Sequence, residues 1–150
     1  MKILFVTSEA APFARSGGLG DVAGALPQAF NKAGNDCRVI MPFYKDEINA
    51  DFQHNFRYVA STYVDLSWRR QYCGIFEAVY GGVTYYLIDN EYYFKRRGLY
   101  GHFDDGERFA FFSKAVLEVL PLIDFFPDVL HANDWHTALT PVFLDVFYRF

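Results

Sequence analysis

The sequence predicts an α/β fold, in which a Rossmann-like parallel sheet carries helices on both faces and an antiparallel β-hairpin insertion. Short apolar runs typical of buried strands alternate along the chain with segments of helical periodicity. In the middle of the chain, strand-like segments follow one another directly, and two of them are separated only by Gly81-Gly82, which is typical of a tight hairpin. With 150 residues and a hydrophobic content of 52%, the chain can form one domain with a sizeable core.

The N-terminal part of the chain predicts a β-α-β unit. A strand is expected over residues 2–7 and a second one over 37–41. Between them, residues 20–33 have helical periodicity, and Gly34 is a typical helix stop. Pro27 is expected to bend this helix. The apolar residues that share one face of the helix are Val22, Leu26, Ala29, Phe30 and Ala33.

The middle of the chain predicts antiparallel strands and then a return to helix. The segments with strand character are 56–66, 72–80 and 83–88. A loop over 89–105 precedes a helix over 107–120, which Pro121 is expected to end.

A short buried strand over 128–132 is followed by a last amphipathic helix that opens at Asn133-Asp134. Its apolar face consists of Leu139, Val142, Phe143, Val146 and Phe150, so we expect the helix to run to the last residue. A domain rarely ends in an uncapped helix with so few parallel strands. We therefore expect the chain to be the front part of a longer protein.

Composition excludes several functional classes. A net charge of −4 argues against a nucleic-acid partner, since phosphate backbones require a basic surface. The N-terminal apolar run is too short for a signal peptide, and no apolar stretch reaches the length of a membrane span. Cys37 and Cys73 lack metal-ligand spacing and are typical of buried thiols in a reducing compartment. We expect a cytoplasmic protein without a membrane partner.

A glycine-rich segment lies between the first strand and the first helix. It contains Arg15, Gly17, Gly18 and Asp21. Unpaired N–H groups at a helix N-terminus attract anions, and glycines let a phosphate approach them. The guanidinium of Arg15 would add charge-assisted hydrogen bonds. The segment therefore predicts a site for a nucleotide diphosphate, the alternative being a glycine loop required only for packing, with Arg15 solvated.

The same segment also satisfies the dinucleotide pattern G-x-G-x-x-A over residues 18–23. Two observations disfavour that interpretation. Residues 8–14 separate the glycines from the strand, whereas in dinucleotide folds the glycines follow the strand directly. Residues 38–43 also lack the acidic side chain that should bind the ribose about twenty positions on.

The turn after the 128–132 strand holds further candidates. Asp134 lies between a strand end and a helix start, where open α/β sheets bind ligands; alternatively it caps the helix by accepting the N–H of His136 or Thr137. Trp135 could offer a sugar a stacking surface or lie in the core. His131, Asp134 and His136 would be scattered by strand alternation, so no metal site is expected. Glu9, His54 and His102 carry no signal distinct from a structural role.

Three ordered blocks of this sequence resemble bacterial glycogen synthases and plant starch synthases. The first is SEAAPFARSGGLGDVAGALP over residues 8–27. The second combines residues 86–90 with 96–101 and 107–112, and the third is HANDWHTAL over 131–139. Tyr100 matches a tyrosine of the cleft in this family; alternatively, it is an ordinary aromatic residue of a loop.

The chain departs from the family pattern at three places. Arg15 stands where the family usually has lysine, which keeps the charge but replaces a compact ammonium with a planar fork. Lys-Arg-Arg-Gly over 95–98 stands where the family usually has Asp-Arg-Pro-Gly, and the loss of the proline leaves that loop less rigid. Asn133 stands where the His-Ala-His form of the third block has its second histidine.

The resemblance implies a GT-B glycosyltransferase, with two Rossmann-like domains facing each other across a cleft. Such an enzyme transfers glucose from ADP-glucose to the non-reducing end of an α-1,4-glucan with retention of configuration, in glycogen biosynthesis and without a metal cofactor. Residues 1–150 would form part of the N-terminal, acceptor-side domain, and the C-terminal donor-binding domain, its partner, would lie outside this chain. The fragment alone would be inactive.

With this resemblance, Asp134 is the expected catalytic residue. The residues expected to bind substrate are Arg15, Gly17, Gly18, Asp21, Tyr100, Trp135 and His136. Two other functions remain open at this point. One is a stand-alone glucan-binding or regulatory module, and the other is a dinucleotide-dependent oxidoreductase domain.

Overall fold

The structure is a computed structural model that describes residues 1–149, and it contains a single six-stranded mixed sheet. The strands are β1 (Lys2–Val6), β2 (Asp36–Pro42), β3 (Arg57–Leu66), β4 (Arg69–Tyr80), β5 (Val83–Asp89) and β6 (Val129–Ala132). The helices are α1 (Gly18–Lys32), α2 (Ala50–Gln53), α3 (Glu91–Phe94), α4 (Asp105–Glu118), α5 (Leu120–Ile123) and α6 (Leu139–Phe147). A 3-10 turn, Trp135–Thr137, precedes α6.

The strands lie in the order β3-β4-β5-β2-β1-β6. Strand β1 pairs in parallel with both β2 and β6, and β2 pairs in parallel with β5. Strands β3, β4 and β5 are antiparallel, so the predicted hairpin insertion widens one edge of the same sheet. The α/β fold with a parallel core and an antiparallel hairpin is confirmed.

Helix α1 matches its predicted apolar face only in part, because Leu26 and Phe30 pack against the core while the other three predicted residues do not. Its buried residues are Gly20, Ala23 and Pro27, whereas Val22, Ala29 and Ala33 are exposed. The reason is a close approach to the preceding loop, since a Cβ on Gly24 would lie 3.0 Å from the carbonyl oxygen of Ala11. Small residues permit this contact, and a pattern of large apolar residues does not reveal it.

Two predicted helix ends are corrected. Helix α4 already ends at Glu118, and Pro121 lies in the first turn of α5, where the missing N–H of proline needs no partner. Helix α6 ends at Phe147 rather than at the end of the chain, because Tyr148 leaves the helical conformation and its hydroxyl is hydrogen-bonded to Glu118. Phe150, which we placed on the last helix, lies outside the described residues.

The segment between β1 and α1 is anchored to the sheet by Phe13. Its buried ring makes edge-to-face contacts with Phe52, Phe56 and Tyr85, at centroid distances of 5.3, 5.5 and 4.8 Å. The glycine loop that follows therefore starts from a fixed point. Among residues 1–149, no helix combines the length and the apolar character needed to cross a bilayer.

Candidate functional site

The candidate residues converge at the carboxyl ends of the parallel strands. The chain leaves β1 toward β2 on one side, while β6 lies on the other side of β1, so the loops after β1 and β6 flank the point where the strand order reverses. Open α/β sheets bind ligands at this point. Asn133 joins the two strand ends, since its backbone N–H and its side-chain amide donate to the Val6 carbonyl at 3.2 and 3.0 Å.

Glu9 lies buried beneath the glycine loop with only 2% of its surface exposed. Its Oε2 accepts the backbone N–H groups of Ser16 (2.7 Å) and Gly17 (3.2 Å), and its Oε1 accepts the hydroxyls of Ser16 (2.8 Å) and Tyr100 (2.7 Å). Burial opposes ionisation, but these hydrogen bonds outweigh it and lower the pKa of the Glu9 carboxyl. Glu9 is therefore a carboxylate at neutral pH.

Tyr100 lies in a loop whose backbone is positioned by a buried arginine. Arg108 on α4 is fully buried and donates to the carbonyls of Tyr93 (2.6 Å) and Leu99 (2.9 Å) and to the carboxylate of Asp105 (2.8 Å). The Leu99 contact fixes the backbone directly before Tyr100. Burial raises the pKa of Tyr100, so its hydroxyl stays protonated and can donate to Glu9.

Arg15 and Asp21 form a bidentate ion pair on the surface of the glycine loop. The distances are 2.5 Å from Nε of Arg15 to Oδ1 of Asp21 and 2.9 Å from Nη2 to Oδ2. Hydrogen bonding to Arg15 lowers the pKa of the Asp21 carboxyl. Both side chains are more than half exposed, so the pair lies in solvent at the start of α1.

The three glycines of the loop differ in their surroundings. A Cβ on Gly17 or Gly18 would meet no atom within 4 Å, whereas a Cβ on Gly20 would lie 2.7 Å from Oε2 of Glu9 and 2.9 Å from Cγ of Arg15. Packing thus requires a glycine at position 20 but at neither of the other two. Within the described part of the chain, the N–H groups of Gly18 and Leu19 at the start of α1 have no acceptor.

Asp134 adopts a strained backbone conformation at the edge of the site. Its φ of 63° and ψ of −178° place it in a region that is essentially restricted to glycine. Its exposed carboxylate accepts the N–H of Trp135 at 2.7 Å, so Asp134 caps the 3-10 turn, as the alternative interpretation predicted, but the donor is Trp135 and neither His136 nor Thr137. The Thr137 N–H donates to the Asp134 carbonyl instead. The positive φ turns the chain so sharply that the nearest N–H meets the side chain.

An aromatic group lines the site beside Asp134. The buried ring of His136 lies 3.9 Å from Trp135, 4.5 Å from Tyr100 and 4.9 Å from Phe109, measured between ring centroids. Trp135 is 52% exposed, so a core position for it is wrong. Burial lowers the pKa of His136, and its Nδ1 has no hydrogen-bond partner in the described part of the chain.

His131 is separate from this group, since its ring stacks on Phe5 at 4.7 Å. Within residues 1–149, no three histidine, cysteine, aspartate or glutamate side chains come together in a way that could hold a metal ion. The absence of a cofactor stays a prediction.

Sequence reasoning missed Glu9 and Arg108, the two buried charges that hold the site together. Arg108 carried a usable signal, because it shares the apolar face of its helix with Phe112 and is flanked by further phenylalanines. Glu9 offered a weaker one, a single charge between a buried strand and two alanines. A charge within an apolar pattern indicates a buried group that needs partners.

Comparison with known proteins gives consistent matches over the whole chain. Residues 2–150 match the family model of the starch synthase catalytic domain. The chain is 57% identical to glycogen synthase of Geobacillus thermodenitrificans, covering 99% of this chain and 30% of that protein. It is 54% identical to glycogen synthase of Clostridium botulinum, covering 99% of this chain and 31% of that protein.

A solved structure is similar as well. The catalytic domain of starch synthase IV from Arabidopsis thaliana, bound to ADP and acarbose, superposes with a TM-score of 0.80 at 29% sequence identity. The match covers 97% of this chain and 30% of that one. The chain therefore spans about 30% of the length of the relatives that it matches.

The contrast between the glycines predicts opposite effects of alanine at two neighbouring positions. Gly20→Ala should destabilise the protein by about 1–3 kcal/mol, because the new methyl group displaces the hydrogen-bonded carboxylate of Glu9. Gly18→Ala is the matched control and should leave stability unchanged or raise it by up to about 1 kcal/mol, since its methyl group enters open space in a helix. Urea unfolding of both variants measures the difference; equal stabilities would contradict the packing described for Gly20.

The lowered pKa of His136 predicts that the protein loses stability on mild acidification. Because burial lowers its pKa in the folded state, the unfolded chain binds a proton below the ordinary value of 6.5 while the folded chain does not. Stability is complete above that pH and falls below it, by at most about 1.4 kcal/mol per pH unit. His136→Phe keeps the ring stacking and removes the proton.

Urea unfolding at about pH 7.5 and about pH 5.5 measures this loss, which should be smaller in the variant than in the parent protein. Glu9 does not contribute in this interval, because its stabilisation is lost only below its ordinary pKa of 4.5. An equal loss in both proteins would show that another group takes up the proton.

Proposed function

Because the chain belongs to the starch synthase catalytic domain family, we propose that the full-length protein transfers glucose from ADP-glucose to the non-reducing end of an α-1,4-glucan with retention of configuration. This chain supplies part of one wall of the cleft, and the C-terminal domain supplies the other wall and most of the donor contacts. The observation that carries the proposal is the open start of α1, placed at the switch point of the sheet beside Asp134 and Trp135.

The start of α1 suits the diphosphate of the donor. Two N–H groups, of Gly18 and Leu19, have no acceptor in the described residues, and the space above Gly17 and Gly18 is open. Since packing does not require these glycines, a ligand that must approach the backbone closely accounts for them. The Gly17 N–H is already bound to Glu9, so its part is to shape the loop.

Arg15 adds a full positive charge at this position. Its Nε and Nη2 donate to Asp21, which fixes the guanidinium plane, while its Nη1 has no acceptor in the described residues and can donate to a phosphate. Asp21 thus serves donor binding by orienting Arg15. As the glycosidic bond breaks, negative charge grows on the departing diphosphate, and these fixed donors stabilise it without reorganisation.

The acceptor lies on the aromatic side of the site in this proposal. The half-exposed Trp135 offers its ring face to a sugar, and the stack with His136 and Tyr100 supports that ring from below. The strained, exposed Asp134 lies at the rim, where its carboxylate holds an acceptor hydroxyl or stabilises the positive charge of the oxocarbenium-like transition state. Backbone strain at such a residue is typical of functional sites.

A cytoplasmic location is part of the same proposal. Cys37 and Cys73 are both free and buried, which is typical of proteins in a reducing compartment.

A glucosyl-transfer assay of the full-length protein tests the function. ADP-glucose and UDP-glucose are compared as donors with a malto-oligosaccharide as acceptor, and chain extension from ADP-glucose is expected. Glucan binding without transfer from either donor would favour a binding module instead. Binding of NADH, detected by its fluorescence, would favour the dinucleotide alternative.

The catalytic role of Asp134 predicts a large effect of a small change. Asp134→Asn in the full-length enzyme should lower kcat about a hundredfold or more, because the negative charge is lost from the site. Stability should change little, since asparagine has nearly the same shape as aspartate and its carbonyl oxygen can still accept the Trp135 N–H.

Asp124→Asn is the matched control, because Asp124 is also an exposed aspartate with a positive φ but follows α5, away from the site. It should leave kcat unchanged. Turnover by Asp134→Asn equal to that of Asp124→Asn would remove Asp134 from the mechanism.

A further inference from the structure

Glu9 connects the two loops that form opposite sides of the proposed site. We propose that it is a positioning residue, which holds the glycine loop and Tyr100 as one rigid unit and so fixes the donor-binding N–H groups relative to the acceptor side. The purpose of this role rests on the proposed function. The coupling between the glycine loop and the loop of Tyr100 can be measured without turnover.

Each carboxylate oxygen of Glu9 has a separate task. Oε2 accepts the backbone N–H groups of Ser16 and Gly17, at 2.7 and 3.2 Å, and thereby fixes the path of the chain into α1. Oε1 accepts the Ser16 hydroxyl at 2.8 Å and the Tyr100 hydroxyl at 2.7 Å. One carboxylate therefore joins a loop at residues 16–17 to a loop at residue 100.

The main chain around Glu9 is held from two further sides. The buried hydroxyl of Tyr44 donates to the Ser8 carbonyl at 2.6 Å, and the Thr7 hydroxyl donates to the Glu9 carbonyl at 2.7 Å. Tyr100 also hydrogen-bonds the Ser8 hydroxyl at 2.7 Å. Because β1 ends directly before these residues, the carboxylate has a fixed position relative to the sheet.

The surroundings of Glu9 exclude a direct part in binding or chemistry. The side chain is buried, and its two oxygens already accept four hydrogen bonds, which uses the acceptor capacity of a carboxylate. It therefore acts through the groups that it holds. Gly20 belongs to the same arrangement, since the Cβ of any larger residue would lie only 2.7 Å from Oε2.

Three variants of the full-length protein separate the two arms of this connection. Glu9→Ala removes all four acceptors. Glu9→Gln is the conservative rescue, because its oxygen can accept the two N–H groups while its amide donates to the two hydroxyls, which can turn to accept. Tyr100→Phe removes the bonds of the second loop to Glu9 and to the Ser8 hydroxyl and leaves the acceptors for Ser16 and Gly17 in place. Glu91→Gln, at an exposed carboxylate on α3, is the control.

Hydrogen exchange at the amides of Ser16 and Gly17 measures the rigidity of the glycine loop in the absence of substrates. Glu9→Ala should raise the exchange rates about tenfold or more, and Tyr100→Phe should raise them about threefold although it lies on another loop. Glu9→Gln and Glu91→Gln should stay close to the parent protein. In the Glu9→Ala background, Tyr100→Phe should add no further increase, because the connection is already broken.

Kinetics give the second readout. Glu9→Ala should raise the KM for ADP-glucose about tenfold with a smaller effect on kcat. With Glu9→Gln, the KM should return most of the way to that of the parent protein. Exchange rates at Ser16 and Gly17 that are unchanged by Tyr100→Phe, or effects of the two changes that simply add, would overturn the coupling. A parent protein that transfers no glucose would overturn the proposed function alone, since the exchange experiment needs no turnover.

Discussion

The burial of one carboxylate, that of Glu9, is the constraint on which the site depends. A buried charge costs several kcal/mol unless it is fully hydrogen-bonded, so the structure must bring donors to it from wherever the chain can supply them. Two come from the backbone of the glycine loop, a third is the hydroxyl of Ser16 in the same loop, and the fourth is the hydroxyl of Tyr100, far away in the sequence. Because the buried carboxylate needs these donors, it fixes the geometry of two loops, and its position requires a glycine at position 20.

A second buried charge of opposite sign organises the other loop. Arg108 donates to two carbonyls and one carboxylate, while the bidentate pair between Arg96 and Asp104 closes the same loop nearer the surface. Tyr100 lies between the two systems, with its backbone set through Leu99 and its hydroxyl set by Glu9. The tyrosine is thus positioned at both ends, as its proposed role in substrate binding requires.

The groups left open by this arrangement are those that face a ligand in the proposed function. Gly17 and Gly18 have free space where side chains would be, Trp135 is half exposed, and Asp134 keeps a strained backbone that the surrounding hydrogen bonds maintain. A preorganised site is expected to combine rigidly held residues in its interior with open groups on the side that faces the ligand. The chain spans about 30% of the length of the relatives that it matches, and in the proposed function the rest of the protein supplies the other wall of the cleft.

The sequence by itself determined the α/β fold, the three antiparallel strands and the family, because periodicity, the Gly81-Gly82 turn and the three motif blocks are local patterns. Even a resemblance that covers the chain left Glu9 without a role and placed Val22 on the wrong face of α1. Only the tertiary structure decided these points. Whether a charge is buried depends on donors such as Tyr100 that are distant in sequence, and whether a helix face is buried depends on how closely its small residues let another segment approach.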